Sequence, residues 1–331
     1  MIAENIKSLS GSNQVLILPH DNPDPDSIAS AWGLSYLLKK RMQISSTIAY
    51  GGLIGRAENR ALVRVLKIPL TPFSHRLLQD QTPIIMVDCQ PHTGNSSLPK
   101  EIIPEIIIDH HPLRKTTKYK QWAYIREQIG ATSTLVVSAL RDLRLPIAKK
   151  LATALFYAIR SETKDLGREG SKQDYENYLY LLPKVDFKAL YRISFPPLSA
   201  EYFRSVKEAL DKSTVFKSVV TCSLGPVPYP ELPAEIADFL IHREGIRLSS
   251  VMGFFEGDIY LSLRSIRTDV NAADIMQKMV RGYGSGGGHT VMAGGKIPSI
   301  PLYKVKDIEK IITRRLLRFF LLSRIKGRKL Y

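Results

Sequence analysis

The chain has 331 residues, 44% hydrophobic and 24% charged, which is enough apolar material for two buried cores and excludes an extensively disordered polymer. Its net charge of +16 is uneven: from Tyr303 to Tyr331 ten Lys or Arg face Asp307 and Glu309, a net of +8, and the mildly basic remainder suits an anionic substrate. Cys89 and Cys222 stand far apart with no CxxC or Cys/His zinc spacing, which excludes a disulfide scaffold and a zinc ribbon and predicts a reducing, cytoplasmic setting, and no apolar stretch is long enough to span a bilayer.

Met1 to Ser10 has neither a basic n-region nor an apolar h-region, so no secretory leader is expected. The first half then alternates strand-like and helix-like runs in the βαβ manner, predicting a largely parallel sheet flanked by helices. Val15–Leu18, Ile84–Val87 and Ile106–Ile108 read as buried strands, continuous in apolar character because both faces are covered. Helices are predicted over Ser27–Lys39, capped by Asp26 or Ser27, over Arg56–Val65, over Ser133–Leu143 behind a Thr132/Ser133 cap, and over Ile147–Arg160. From Tyr175 to Lys212 the pattern is helical, interrupted by Pro183 and Pro196-Pro197, and reads as a connector.

Beyond it, strands are expected at Val215–Ser223, Arg247–Phe255 and Ile259–Arg264, with a helix at Leu232–His242 and a hairpin turn at Glu256-Gly257-Asp258. A helix over Ala272–Val280 leads into a glycine-rich loop, Gly282 to His289. The stretch Asp307–Lys326 reads as an amphipathic basic helix, packed on its own domain with its arginines solvated. The fold class expected is α/β: a catalytic domain over residues 1–190, a connector over 191–212, and a smaller α/β domain over 213–331.

The chemistry collects directly after the three apolar runs of the first half. His20-Asp21-Asn22-Pro23-Asp24-Pro25-Asp26 follows the first, Asp88 the second and Asp109-His110-His111 the third. In an open α/β sheet such strand ends meet in one crevice. Carboxylates gathered there raise one another's pKa unless cations neutralise them, so bound metal is the economical expectation. One by one, the acidic turn and Asp88 also read as ordinary caps; the joint occurrence of three clusters points to metal. Imidazole with several oxygens suits manganese, magnesium or cobalt better than a thiolate-seeking ion.

These residues resemble the DHH phosphoesterase superfamily: HxNPDxDS at His20 to Ser27, the strand-end Asp88, and Asp109-His110-His111. Ser262-Leu263-Arg264-Ser265, Val270-Asn271-Ala272, Gly286-Gly287-Gly288-His289 and Ala293-Gly294-Gly295 resemble the family's C-terminal, DHH-associated domain. Within the superfamily the layout is similar to the oligoribonuclease and 3′-phosphoadenosine-5′-phosphate phosphatase branch. The resemblance implies two ions, manganese foremost with magnesium or cobalt as alternatives. His20 and Asp24 would hold one, Asp26 and His110 the other, and Asp88 would bridge them. Asp109 would fix an imidazole and His111 would face the substrate phosphate. The family's fourth motif reads Ser-Asp-Thr where this chain has Ser161-Glu162-Thr163, so Glu162, or Asp165 one turn on, would complete the ligands. Asn22, Arg264, Arg267, Gly286, Gly287, Gly288 and His289 would bind the substrate.

The expected reaction is hydrolysis of a phosphodiester or phosphomonoester in short RNA or a small nucleotide. Two ions roughly 3.5 to 4 Å apart would share a water of lowered pKa and polarise the phosphoryl oxygens. A cyclic- or linear-dinucleotide phosphodiesterase, a single-strand exonuclease and a non-catalytic nucleotide sensor or RNA-binding module are the alternatives, and a homodimer is left open.

Overall fold

The computed structural model describes residues 2–78, 82–115, 117–167, 170–267 and 269–331. It divides into two units, Met1–Pro196 and Pro197–Tyr331.

The first unit runs α1 (Ile2–Asn5), β1 (Gln14–Leu18), α2 (Pro25–Met42), β2 (Ser45–Tyr50), α3 (Ala57–Leu66), β3 (Thr71–Pro72), β4 (Ile84–Val87), β5 (Ile106–Asp109), β6 (Trp122–Ile125), α4 (Thr132–Asp142), α5 (Lys149–Glu162), α6 (Lys172–Leu181) and α7 (Phe187–Ser194). Its six strands are all parallel, in the order β3-β2-β1-β4-β5-β6. Alternate residues of β1, β4 and β5 enter two separate cores. Val15, Ile17, Ile85, Val87, Ile106 and Ile108 pack against the helices, whereas Leu16, Leu18, Ile84, Met86 and Ile107 pack under connecting segments that include Leu98 and Ile102. This two-sided burial explains the unbroken apolar runs.

The predicted elements are present with shifted ends. The cap of α2 is Asp24 rather than Asp26 or Ser27, because Pro25 has its φ pre-set for the first helical position and starts the helix early. The cap position of α4 is Ala131, without a side-chain bond, and Thr132 and Ser133 turn their hydroxyls elsewhere.

The second unit runs α8 (Ala200–Lys212), β7 (Thr214–Phe216), β8 (Val219–Pro226), α9 (Leu232–Leu240), β9 (Leu248–Phe255), β10 (Asp258–Ser265), α10 (Ala272–Val280), β11 (Ser285–Gly288), β12 (Met292–Ile297), α11 (Val305–Phe319) and β13 (Arg328–Lys329). Its seven strands lie in the order β11-β12-β10-β9-β8-β7-β13, with only β8 and β9 parallel. Helices α10 and α11 cover one face, α8 and α9 the other. The single strand expected over Val215–Ser223 is a hairpin, because Lys217 at φ 55° reverses the chain between β7 and β8.

The glycine-rich segment is likewise a strand rather than a loop. In β11, Gly286 pairs with Gly295 and Gly287 with Gly294 of β12. A Cβ on Gly286 would lie 2.7 Å from Met276 Cγ, and one on Gly295 2.7 Å from Met276 Sδ. Missing side chains thus let α10 press onto this hairpin. Among the described residues no helix is long and apolar enough to cross a membrane.

Candidate metal centre

Strands β1, β4 and β5 are parallel neighbours, so their C-terminal ends open on one edge of the sheet. After β1 the chain turns through His20 and enters α2 with Asp24 as its cap, Oδ1 accepting the Ser27 N–H at 2.9 Å. That fixes Asp24 Oδ1 at 3.7 Å from His20 Nε2. His20 Nδ1 lies 2.9 Å from the Asp21 carbonyl oxygen, so its Nε2 is left for the carboxylates. At the end of β4, Asp88 adopts φ 61°, a left-handed conformation that aspartate tolerates better than most residues. Its carboxylate reaches two ways: Oδ2 is 3.8 Å from His20 Nε2, and Oδ1 is 3.6 Å from His110 Nε2.

Asp26 faces inward from the first turn of α2. Its Oδ2 accepts the Thr132 N–H at 2.7 Å and its Oδ1 the Ser133 N–H at 2.8 Å, so the positive N-terminus of α4 supports a buried carboxylate. The Thr132 hydroxyl donates to Asp88 Oδ1 at 2.8 Å. His110 Nδ1 lies 3.0 Å from the Ile129 carbonyl oxygen, an acceptor only, which puts the proton on Nδ1 and turns the Nε2 lone pair to Asp88. Asp109 Oδ1 accepts from the His110 and His111 N–H groups and from His111 Nδ1 at 2.8 Å, and Oδ2 accepts from Gln90 Nε2 at 2.8 Å. Its oxygens are thereby spent on orientation, chiefly of His111.

Two sets of donor atoms, each within 4.8 Å of one another, share Asp88: His20 with Asp24, and Asp26 with His110. A third joins Asp88 to Asp109 and His111. The electrostatics express the crowding. Burial, and then the charges of Glu162 and Asp24, push Asp26 up to about 8. Burial, and then Asp26 and Asp24, hold Asp88 well above the usual carboxylate range. Burial would lower His20, yet the bond and charge of Asp24 outweigh it and raise the imidazole to about 9. Burial and the His111 charge lower His110 to about 4. Burial also works against His111, but Asp109 lifts it above its ordinary value.

The donor set fits divalent cations. Every donor is a carboxylate oxygen or an imidazole nitrogen, and protons now held by the raised carboxyls are what cations would displace. Cys89, the neighbouring thiol, is buried and pushed far up, with Sγ on the Leu18 carbonyl oxygen at 3.7 Å, so it offers no thiolate.

Glu162 ends α5 outside these donor sets, but its charge contributes to raising Asp26, Asp88 and His111. Asp165 is exposed and its Oδ1 lies 2.7 Å from Arg160 Nε. The Asn22 Oδ1 accepts the Leu53 N–H at 2.9 Å, tying the turn after β1 to the segment after β2. Arg264 is braced on Asp238 at 2.6 Å and on the Ser262 hydroxyl at 2.8 Å. Arg267 pairs with Asp269 and lies 5.1 Å over the Phe320 ring. Gly286, Gly287 and Gly288 lie on β11, and the His289 N–H donates to the Met292 carbonyl at 2.7 Å.

Gln90 carried no signal in the sequence, and Thr132 stood there only as a helix cap. Gln90, buried, holds Asp109 and accepts from the Arg114 N–H and the Thr117 hydroxyl. Thr132 holds both Asp26 and Asp88; its signal was three successive hydroxyl residues, Thr132-Ser133-Thr134, where a single cap would suffice.

The DHH family, N-terminal domain, matches residues 14–159, and the DHHA1 domain matches residues 230–317. An uncharacterized protein of Methanocaldococcus jannaschii is 34% identical over 299 residues, covering 90% of this chain and 60% of the relative. The cyclic-di-AMP phosphodiesterase GdpP of Bacillus subtilis is 24% identical over 311 residues, 87% of this chain and 46% of its own length. The chain therefore spans less than two thirds of either relative. An exopolyphosphatase-related protein from Bacteroides fragilis superposes with a TM-score of 0.73 over 97% of both chains at 16% identity, and so shares the fold.

Proposed function

The chain belongs to the DHH superfamily of phosphoesterases, and from that premise we propose that it is a metal-dependent phosphohydrolase acting on short oligoribonucleotides or small nucleotides. The observation that carries the reading is the position of Asp88, whose two oxygens serve two donor sets at once. His20 and Asp24 would hold one ion, Asp26 and His110 the second, and Asp88 both; Glu162 stands nearer to this role than Asp165. One imidazole with carboxylates in each set suits Mn2+, with Mg2+ or Co2+ as alternatives. Bound there, such ions supply Lewis acidity that activates water and offsets charge developing on the phosphoryl oxygens.

The chain's own residues do the rest. His111 is part-exposed, and Asp109 favours its protonated form, so it is available to hold a phosphoryl oxygen and to protonate the leaving oxygen. Asp109, fixed by Gln90, keeps that imidazole in one orientation. The Thr132 hydroxyl and the α4 N-terminus keep Asp88 and Asp26 in place. In the second unit, the end of β11 with His289 and the braced Arg264 would grip the nucleotide.

The likeness to a cyclic-di-AMP phosphodiesterase along 87% of the chain favours one second reading, a cyclic- or linear-dinucleotide phosphodiesterase. A panel assay with Mn2+ tests both, using a dinucleotide, a short oligoribonucleotide, 3′,5′-bisphosphorylated adenosine, a cyclic dinucleotide and pyrophosphate. Fastest turnover of the short oligoribonucleotide or the bisphosphate supports the first reading, and of the linear or cyclic dinucleotide the second. Binding without turnover of any ester would leave a nucleotide sensor and overturn both.

A further inference from the structure

The second unit carries a groove of about 660 Å³ between α10, from Ile275 onward, and the C-terminal part of α11. Its floor is Ile275 and Met279, its rim is Lys278, Arg281, Arg315 and Arg318, and Phe319 stands at one side. No carboxylate is among the described lining residues. Basic residues at helix C-termini often serve only to satisfy open carbonyls, and Arg315 does so, donating to the Met279 and Arg281 carbonyl oxygens at 2.7 Å each. That explanation stops at Arg315. Lys278, Arg281 and Arg318 are exposed and, among the described residues, make no ion pair, so four like charges surround a concave space.

Aromatic faces accompany the charges. Lys278 Nζ lies 5.1 Å from the Phe319 ring centroid, and the Arg315 guanidinium 4.9 Å from that of Tyr283. Cations beside flat rings over an apolar floor complement a phosphate joined to a planar base better than a lipid headgroup or an acidic peptide. We propose that this groove is a second RNA site, which holds the phosphodiester backbone of a single strand beyond the nucleotides gripped near His289.

The fold sets the length at which the site matters. The N-terminal end of α10 adjoins the end of β11, since the Ala272 N–H donates to the Thr290 carbonyl next to His289, while the charged rim of the groove lies at its C-terminal end. The rim residues Lys278 and Arg281 stand six and nine residues beyond Ala272, about 9 and 13 Å along a helix. At ~3.4 Å per nucleotide of a stacked strand that is about three to four nucleotides. A dinucleotide ends short of the charged rim and an octamer reaches it.

The inference rests on the proposed RNA substrate, so its test separates the two. The double variant Arg281→Glu/Arg318→Glu, which spares the carbonyl-capping Arg315, is compared with the native protein in two measurements. One is the affinity of a fluorescent octaribonucleotide in EDTA at several salt concentrations; the other is Mn2+-dependent hydrolysis of a dinucleotide. The expected result is about tenfold weaker octamer binding, a log–log salt slope shallower by about 1.4 for two lost phosphate contacts, and unchanged dinucleotide kcat/KM. Unaltered octamer affinity and slope would overturn the proposal, as would an equal loss on the dinucleotide, which signals general damage. In a third measurement, a loss confined to binding of phosphatidylserine vesicles would overturn it in favour of a membrane surface. If the native protein hydrolyses no RNA, the substrate reading fails and the octamer titration alone decides the groove.

Discussion

The Thr132 hydroxyl donates to Asp88 Oδ1 at 2.8 Å, while the backbone N–H of the same residue holds Asp26. Replacing Thr132 by Val keeps the branched shape and the N–H but removes the donor to Asp88. Groups that orient metal ligands typically contribute about 10- to 100-fold in affinity. Thr132→Val is therefore expected to weaken Mn2+ binding by about tenfold or more with its fold intact, as read by calorimetric titration beside circular dichroism. Native affinity in the variant would mean that Asp88 needs no such support.

Asp24→Ala and Asp88→Ala each remove a carboxylate from the donor sets, Asp88 from both. If the ions offset several kcal/mol of developing charge, loss of a ligand should lower Mn2+-dependent turnover by about 10³-fold or more. Steady-state hydrolysis of the best substrate in the panel measures this. The Asp88 variant should also lose the larger share of bound metal, because both ions depend on it.

Protons and cations compete for the same carboxylates, with a definite sign. Asp26, raised from 3.8 to about 8, and Asp88, raised with it, bind protons in the folded metal-free protein that the unfolded chain releases. Their contribution to stability is full below the ordinary carboxylate value and is lost as pH rises through the folded value. His20, raised from 6.5 to about 9, acts in the same direction at higher pH. His110, lowered to about 4, and Asp24 and Asp109, held low, act oppositely and lose their contribution as pH falls. In EDTA the melting temperature should fall between about pH 6 and 8.5. The increment on adding Mn2+ should be larger at pH 8.5 than at pH 6, and an increment independent of pH would contradict this linkage.

Glu162 and Asp165 separate cleanly. Asp165, exposed and paired with Arg160, should tolerate Asn with no effect on metal affinity. Glu162→Gln removes one of the charges that raise Asp26 and Asp88, so the metal-free protein should become more stable at alkaline pH while Mn2+ binds more weakly. Thermal melts with and without Mn2+ at pH 8.5 read both effects; opposite behaviour of the two variants would exchange their roles.

Gly286→Ala tests why the glycine-rich segment is a strand. Its Cβ would meet Met276 Cγ at 2.7 Å. Met276 is buried and must shift, so a loss of about 1–3 kcal/mol is expected in urea unfolding. A neutral outcome would show that the hairpin has room for a side chain.

What the sequence made legible followed burial on two faces. β1, β4 and β5 were readable because Leu16, Ile85 and Ile107 are as buried as their neighbours, leaving unbroken apolar runs. β6 is half-buried throughout, and in β12 glycines dilute the signal, so neither stood out. The glycines of β11 say nothing of pairing by themselves; the partner strand and Met276 determine it. The order of His20, Asp24, Asp26, Asp88 and His110 along strand ends pointed to a common crevice, because parallel neighbours must open on one edge. The aim of Thr132 and Gln90 was hidden, since each reaches its carboxylate across a long sequence separation.

The measurement that bears most directly on the central claim is anomalous diffraction at the manganese edge from crystals grown with Mn2+. Two peaks on either side of Asp88, one beside His20 and Asp24 and the other beside Asp26 and His110, are expected. No peak at Asp88, or manganese held only elsewhere on the molecule, would contradict the claim that these side chains form a shared two-ion centre.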